Sequence, residues 1–184
     1  MEDFFIDKTV YTGRPENADG RLQKEIRTYD LLDKIGIEFK RVDHAPADTI
    51  DKCIEIESLI GVDACKNLFL CNRQMTQFYM LMMPGRKPFK TKDITGQIGS
   101  ARLSFAPEEK MLEYLDITPG SVSIMGLAND KNNKVQLIFD KDIYDSEYIR
   151  CHPCINTSTL KIKTEDILSK YLPYIRHKPL VVKL

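Results

Sequence analysis

A chain of 184 residues, 42% hydrophobic and 29% charged, is sized for one globular domain that buries its own core. Its 27 lysines and arginines balance 27 aspartates and glutamates, which excludes a general basic excess for gripping long stretches of nucleic acid and leaves room only for a small, local footprint. No apolar run reaches the roughly 20 residues of a membrane span, the opening MEDFFIDKTVYTGRPENADG lacks the basic-then-apolar order of a secretory signal, and the five cysteines argue against a disulfide framework, so a cytosolic protein is expected.

RLQKEIRTYDLLDKI (21–35) places Leu22, Ile26, Tyr29, Leu32 and Ile35 at helical spacing, with Gly36 as the stop. IEFKRVDH (37–44) alternates like a half-buried strand, and APAD turns the chain. TIDKCIEIESLIG (49–61) predicts a second amphipathic helix with Thr49 as N-cap and Gly61 as stop. NLFLCN (67–72) and QFYMLMMP (77–84) read as a hairpin. Helical segments are expected around KTKDITGQI (90–98) and APEEKMLEYL (106–115), with Pro107 in the first turn of the latter. TPGSVSIMGLAND (118–130) mixes turn signals with strand formers, and KVQLIFDKDI (134–143) follows the turn NDKNNK as a strand. A strand near 158–163, a helix from about Glu165 to Tyr171 and an apolar tail, PLVVKL, complete the chain. There is no internal repeat or linker. The expected fold is mixed α/β (α+β): a single domain with a curled, largely antiparallel mixed sheet or partial barrel and packed helices. Residues 1–20 form an N-terminal extension and residues 21–184 the domain.

The fragment CHPC (151–154) could be a redox pair or half a zinc site. A redox pair normally opens a helix, whereas INTSTLKI continues with strand character. A zinc site needs about four ligands, and no second CxxC or HxxxH exists. Two semi-buried thiols are therefore expected, with no metal. GxSxG, HExxH and GxxxxGK[ST] are all absent. Of the three histidines, His44 and His177 read as solvated surface residues. Lys66, entering the apolar strand beside Asn67, is either a snorkelling surface lysine or a charge at a pocket mouth. The turn PGSVSIMG either only turns the chain or presents backbone N–H groups around Gly120 to an anionic centre. The best local basic stretches are GRKPFKTK (85–92) and KNNK (131–134).

Taken together and in this order, CKNLFL (65–70), ARLSFAPEE (101–109), TPGSVSIMGLAND (118–130), CHPCINTSTLKI (151–162) and HKPLVVKL (177–184) resemble the YbaK/ProX family. These are free-standing relatives of the editing domain inserted in bacterial prolyl-tRNA synthetase. The likeness is greater to the ProX-type members that deacylate alanyl-tRNA(Pro) than to those acting on cysteinyl-tRNA(Pro). The resemblance implies a hydrolase without cofactor or metal that cleaves the aminoacyl ester of mischarged tRNA(Pro). Its partner would be the acceptor end of that tRNA, with prolyl-tRNA synthetase a further expected partner. It assigns catalytic roles to Lys66, Gly120 and His152, and substrate contacts to Asn67, Ser121, Val122, Ser123 and Asn156. His152 and Asn156 match the family's HPxxNT pattern. Two positions depart from the family: Ile124 stands where proline is common, and Cys65 where threonine is usual. The competing expectations are a module that binds aminoacyl-adenosine without turnover, a deacylase preferring cysteinyl-tRNA(Pro), and a thiol-redox protein using Cys151 and Cys154.

Overall fold

The hairpin FYMLMM against NLFLCN organises the fold. In the computed structural model, which describes residues 5–47, 50–100 and 102–184, β3 (Cys65–Asn72) pairs antiparallel with β4 (Phe78–Pro84). Asn72 accepts the amides of Thr76 (2.9 Å) and Gln77 (3.3 Å) and so closes the turn. Phe69, Cys71, Phe78, Met80 and Met82 face one apolar cluster, while Leu70, Tyr79, Leu81 and Met83 face a second. Burial on both faces accounts for the unbroken apolar run of β4.

β5 (Leu103–Phe105), β6 (Val135–Asp140) and β9 (Leu180–Val182) complete a five-stranded sheet in the order β5-β3-β4-β6-β9, antiparallel on the β5 side and parallel through β6 and β9. A second, wholly antiparallel sheet runs β1 (Tyr11–Thr12), β2 (Phe39–Asp43), β8 (Ser158–Lys163), β7 (Tyr148–Cys151). The two sheets share the larger core with α1 (Gln23–Lys34), in which Tyr29 stacks on Phe39 with ring centroids 5.7 Å apart. α2 is Ile50–Ile60, α3 Thr91–Ile98, α4 Glu108–Leu115 and α5 Lys141–Tyr144. The chain ends helically through α6 (Thr164–Asp166), a π turn (Ile167–Tyr171) and α7 (Leu172–Ile175) before β9. Among the described residues no helix is long and apolar enough to cross a membrane.

Several expectations shift in detail. Thr49, the expected N-cap of α2, lies outside the described residues. The 134–143 strand stops at Asp140, whose carboxylate accepts the Asp142 amide and starts α5. Residues 124–129 form a 3-10 helix in place of strand, capped by Ser123. Gly126 lets that helix approach its neighbours closely: a Cβ there would lie 3.1 Å from the Leu115 carbonyl oxygen and would require Ile117 Cδ1, at 2.3 Å, to move. β7 went unread because YIRC is too short to show a period. Residues 5–13 run along β2, with Ile6 bridged to His44 and the Ala45 amide donating to the Phe5 carbonyl.

His44 and His177 are buried, not solvated as the sequence suggested. His177 is held by Asp130, with Nε2 3.2 Å from Oδ2, and this contact fastens the tail behind the turn that precedes β6. The same carboxylate accepts the amides of Lys134 and Val135. Burial pushes Asp130 up, but the His177 bond and the two amides outweigh it and hold the carboxyl below the ordinary value.

Candidate active site

Two loops from distant parts of the sequence are joined here. Gly120 has φ +83°, the left-handed region that favours glycine, and a Cβ on it would lie 3.4 Å from Asn156 Nδ2. Three residues on, the Ser123 hydroxyl accepts the Met125 amide (3.2 Å) and donates to the His152 carbonyl (2.5 Å). The Gly120–Ser123 turn and the His152–Asn156 turn are thereby pinned to each other. Ser123 is fully buried, so its side chain sets the loop spacing and does not face an open site. Ser121 is also buried, its amide closing a turn onto the Thr118 carbonyl, and Val122 packs against the larger core. The amides of Gly120, Val122 and Ser123 have no partner among the described residues, leaving three backbone donors in one short loop.

The His152 ring is oriented from behind. Nδ1 donates to the Ser158 carbonyl at 2.8 Å, which leaves the Nε2 lone pair as an acceptor. Burial pulls the ring's pKa down to about 4, with smaller contributions from His44 and Arg150, so the acceptor form prevails at neutral pH. Ser158 is itself braced: its hydroxyl lies 3.3 Å from the Tyr29 hydroxyl, which donates to buried Glu25 at 2.8 Å. The route from α1 to the histidine is continuous.

Beside His152 stand residues that sequence reasoning missed. The His44 ring packs edge-on at 6.3 Å; its Nδ1 donates to the Ala45 carbonyl and its Nε2 accepts from Thr159 Oγ1, both at 2.8 Å. Arg150, one residue before Cys151, donates to the Cys53 carbonyl at 3.2 Å and joins α2 to β7. The only sequence signal for this cluster was a second histidine at the end of a strand, which reads equally well as a surface residue.

Lys66 and Asn67 do not act as a side-by-side pair. Adjacent on β3, they project to opposite faces. The Lys66 ammonium donates to the Lys87 carbonyl at 2.7 Å, fixing the loop after β4. Asn67 shares a face with Cys65, which meets the Arg150 backbone, and its Oδ1 is buried without a partner among the described residues. A buried acceptor left open is where a ligand's donor fits best.

The cysteines of CHPC are buried more completely than expected, at 2% exposure each. Burial raises the Cys151 thiol far above its usual range and the Cys154 thiol to about 11, the opposite of what a redox or metal-binding thiolate requires. Among the described residues no three histidine, cysteine or acidic side chains are grouped to hold a metal. Ile124 is wholly buried, its carbonyl accepting the Tyr171 hydroxyl at 3.1 Å, so it bears on the site through the path of the backbone. A cleft of about 800 Å³ between α1, the 3-10 helix and α7 contains neither Lys66, Gly120 nor His152.

Residues 44–170 match the aminoacyl-tRNA editing domain family, and the chain belongs to it. Its class is thus that of an enzyme, an aminoacyl-tRNA deacylase. Among its relatives is the prolyl-tRNA editing protein ProX of Acetoanaerobium sticklandii, 33% identical over 138 residues, which span 74% of this chain and 83% of that protein. Prolyl-tRNA synthetase associated domain-containing protein 1 of Danio rerio is 26% identical over 163 residues, 88% of this chain and 86% of that one. A solved structure described as a candidate trans-editing enzyme for prolyl tRNA synthetase superposes with a TM-score of 0.63 at 14% identity, over 89% of this chain and 98% of that one, which supports the fold.

Proposed function

We propose that the protein edits tRNA(Pro) in trans, hydrolysing the ester of alanyl-tRNA(Pro). The observation that carries this reading is the pinning of the Gly120 loop to the His152 loop through the Ser123–His152 hydrogen bond and the Gly120–Asn156 contact. It joins a loop whose Gly120, Val122 and Ser123 amides have no partner among the described residues to a loop that carries a neutral imidazole acceptor, a combination suited to an activated ester and not to a redox pair.

In the proposed reaction, water attacks the ester carbonyl carbon and the developing oxyanion takes the loop amides of Gly120, Val122 and Ser123. The acyl carbon–ribose oxygen bond breaks, the ribose oxygen takes a proton, and the amino acid leaves as carboxylate. His152 Nε2 accepts a hydrogen bond from the attacking water or the neighbouring ribose hydroxyl and orients it. The open Asn67 Oδ1 accepts from the substrate's amino group, and Asn156 steadies the aminoacyl end. Lys66 sits at the rim and meets the terminal nucleotide's phosphate or ribose. An aminoacyl ester is reactive enough that positioning and electrostatics suffice without a nucleophilic side chain. The closely packed loops favour alanine and exclude the larger proline, the fine half of a double sieve. The names of the relatives support tRNA(Pro) as substrate and prolyl-tRNA synthetase as an associated protein.

The test is a deacylation panel of alanyl-, cysteinyl-, seryl- and prolyl-tRNA(Pro). Multiple turnover with alanyl-tRNA(Pro) and sparing of prolyl-tRNA(Pro) is expected. Faster cysteinyl release would move the substrate assignment, and tight binding without turnover would make the domain a sensor.

A further inference from the structure

The stretch GRKPFKTK, noted above as a local basic segment, has no role in the reaction just described. Its four cations divide into two kinds. Arg86 pairs with Glu57 at 2.8 Å, and Lys87 pairs with Asp140 at 2.7 Å and Asp142 at 3.0 Å. The Lys90 and Lys92 side chains are exposed and engage no partner among the described residues. Across a groove of about 710 Å³ stands Arg102, equally exposed and unpartnered.

Two aromatic rings lie among these cations. Phe89 and Phe105 have centroids 6.5 Å apart, and Phe105, on the edge strand β5, is 67% exposed, an unusual position for a phenylalanine on a short strand. Threonines 91 and 95 complete the lining, and no carboxylate contributes to it. Asp93, the nearest acid in sequence, lies outside the groove. A chain with zero net charge has thus gathered three free cations around an exposed aromatic face. Unpaired cations spaced around a ring complement phosphodiesters with a base between them, whereas a protein partner of ordinary composition would leave the cations unmatched.

The groove is also tied to the active site. Phe89 is two residues from Lys87, whose carbonyl holds the Lys66 ammonium at 2.7 Å. We infer that this groove is an RNA-docking surface, in which Lys90, Lys92 and Arg102 take phosphates of the single-stranded 3′ end and Phe105 stacks on one of its bases. The inference rests on the editing reading for the identity of the RNA, although the groove's chemistry stands apart from catalysis.

The experiment measures binding of uncharged tRNA(Pro) by fluorescence anisotropy across a salt series, alongside deacylation kinetics. The Lys90→Ala/Lys92→Ala/Arg102→Ala variant should weaken binding about ten-fold or more at low salt and lower the slope of log K against log salt by about two. Phe105→Ala should weaken binding at least five-fold, and Phe105→Tyr should restore it. The four substituted side chains, Lys90, Lys92, Arg102 and Phe105, are all exposed, so the melting temperature should hold. On the charged tRNA the KM should rise with kcat unchanged, while alanyl-adenosine, which lacks the strand, should be cleaved equally by wild type and variants. Wild-type affinity and salt slope in the triple variant would overturn the docking surface and leave editing untouched. RNA binding that depends on the groove, in a protein that deacylates none of the charged tRNAs, would uphold the surface and sink the editing reading.

Discussion

His152 and His177 are both drawn into the fold, yet their surroundings prepare them for different work. Nδ1 of each faces a backbone carbonyl, Ser158 for His152 and Ile175 for His177. The other nitrogen separates them. Nε2 of His177 meets the buried Asp130 carboxylate, so the ring is consumed in holding the tail against the turn before β6. Nε2 of His152 makes no hydrogen bond among the described residues and remains an acceptor, with His44 and Arg150 close by. Burial alone is a poor guide to role. What a histidine can do depends on whether a second partner has taken its remaining nitrogen.

The most direct way to break this comparison is to remove each ring. His152→Ala should lower kcat/KM on alanyl-tRNA(Pro) by about 100-fold, at the low end for a group orienting a proton in flight, with little change in melting temperature. His177→Ala should do the reverse, costing roughly 1–3 kcal/mol of stability by stripping a buried carboxylate of one donor, with kcat retained in the folded fraction. Chemical denaturation and single-turnover deacylation on the same preparations would check both. A His177→Ala variant that is stable but inactive would erase the distinction.

Next in size is Lys66→Ala, expected to reduce kcat/KM about 10- to 100-fold, the loss of a charge-assisted contact of roughly 1.5–3 kcal/mol. The Lys66–Lys87 hydrogen bond adds a second expectation. Lys66→Arg should recover the loop anchor and part of the activity, while the melting temperature of Lys66→Ala stays near wild type because the side chain is only partly buried. Near-wild-type turnover by Lys66→Ala would return this residue to the role of a loop fastener.

Acid sharpens the comparison further. The folded His152 ring has a pKa lowered from 6.5 to about 4, and that of His44 is lowered as well, chiefly by burial. The unfolded chain therefore binds protons that the folded one refuses, and stability should decline as pH falls from about 6.5 toward 4. Asp130 adds a second window. Its lowered carboxyl contributes stability above the ordinary value of 3.8, and this contribution is lost only as pH drops further. His177→Ala should shrink the second window and leave the first in place. Deacylation that requires neutral His152 should stay level from pH 8 to pH 5 and fail near 4. Melting curves and rates across this range test the separation.

The fold was largely legible because long, periodic segments carry their own signal. The run QFYMLMMP read as one strand of a hairpin, which the structure buries on both faces, and Tyr29 and Leu32, at helical spacing in the sequence, lie on the inward face of α1. Gly120, His152 and Asn156 were found through motif resemblance, and the structure places their loops in contact. Contacts made by long-range packing stayed hidden. Nothing in YIRC marks Arg150 as a link to Cys53, and nothing in VDHAP shows that His44 will meet His152 across 108 positions of chain. Lys66 and Asn67, adjacent in sequence, lie on opposite faces of their strand, which the motif CKNLFL alone does not reveal.

The smallest effect is expected at the cysteines that sit beside His152 in CHPC. Their proximity to His152 makes them look functional, yet Cys151 is buried in β7 and Cys154 contacts Thr28 Oγ1 at 3.6 Å inside the core. Both thiols are held protonated by burial, with no thiolate to attack a disulfide or bind zinc. The Cys151→Ser/Cys154→Ser variant places two hydroxyls where sulfur sat in a largely apolar core, each beside one hydroxyl, Ser123 or Thr28. It should lose about 1–3 kcal/mol of stability, because hydroxyls pay more than thiols for burial. Its kcat at a temperature well below its midpoint should stay within about two-fold of wild type, since neither the bond from the Ser123 hydroxyl to the His152 carbonyl nor that from His152 Nδ1 to the Ser158 carbonyl uses a sulfur atom. Chelators and reductants should likewise leave turnover unchanged. A rate that falls with the cysteines while the fold persists, or purified protein carrying stoichiometric zinc that departs together with activity, would make CHPC itself the reactive element and reduce His152 to its scaffold.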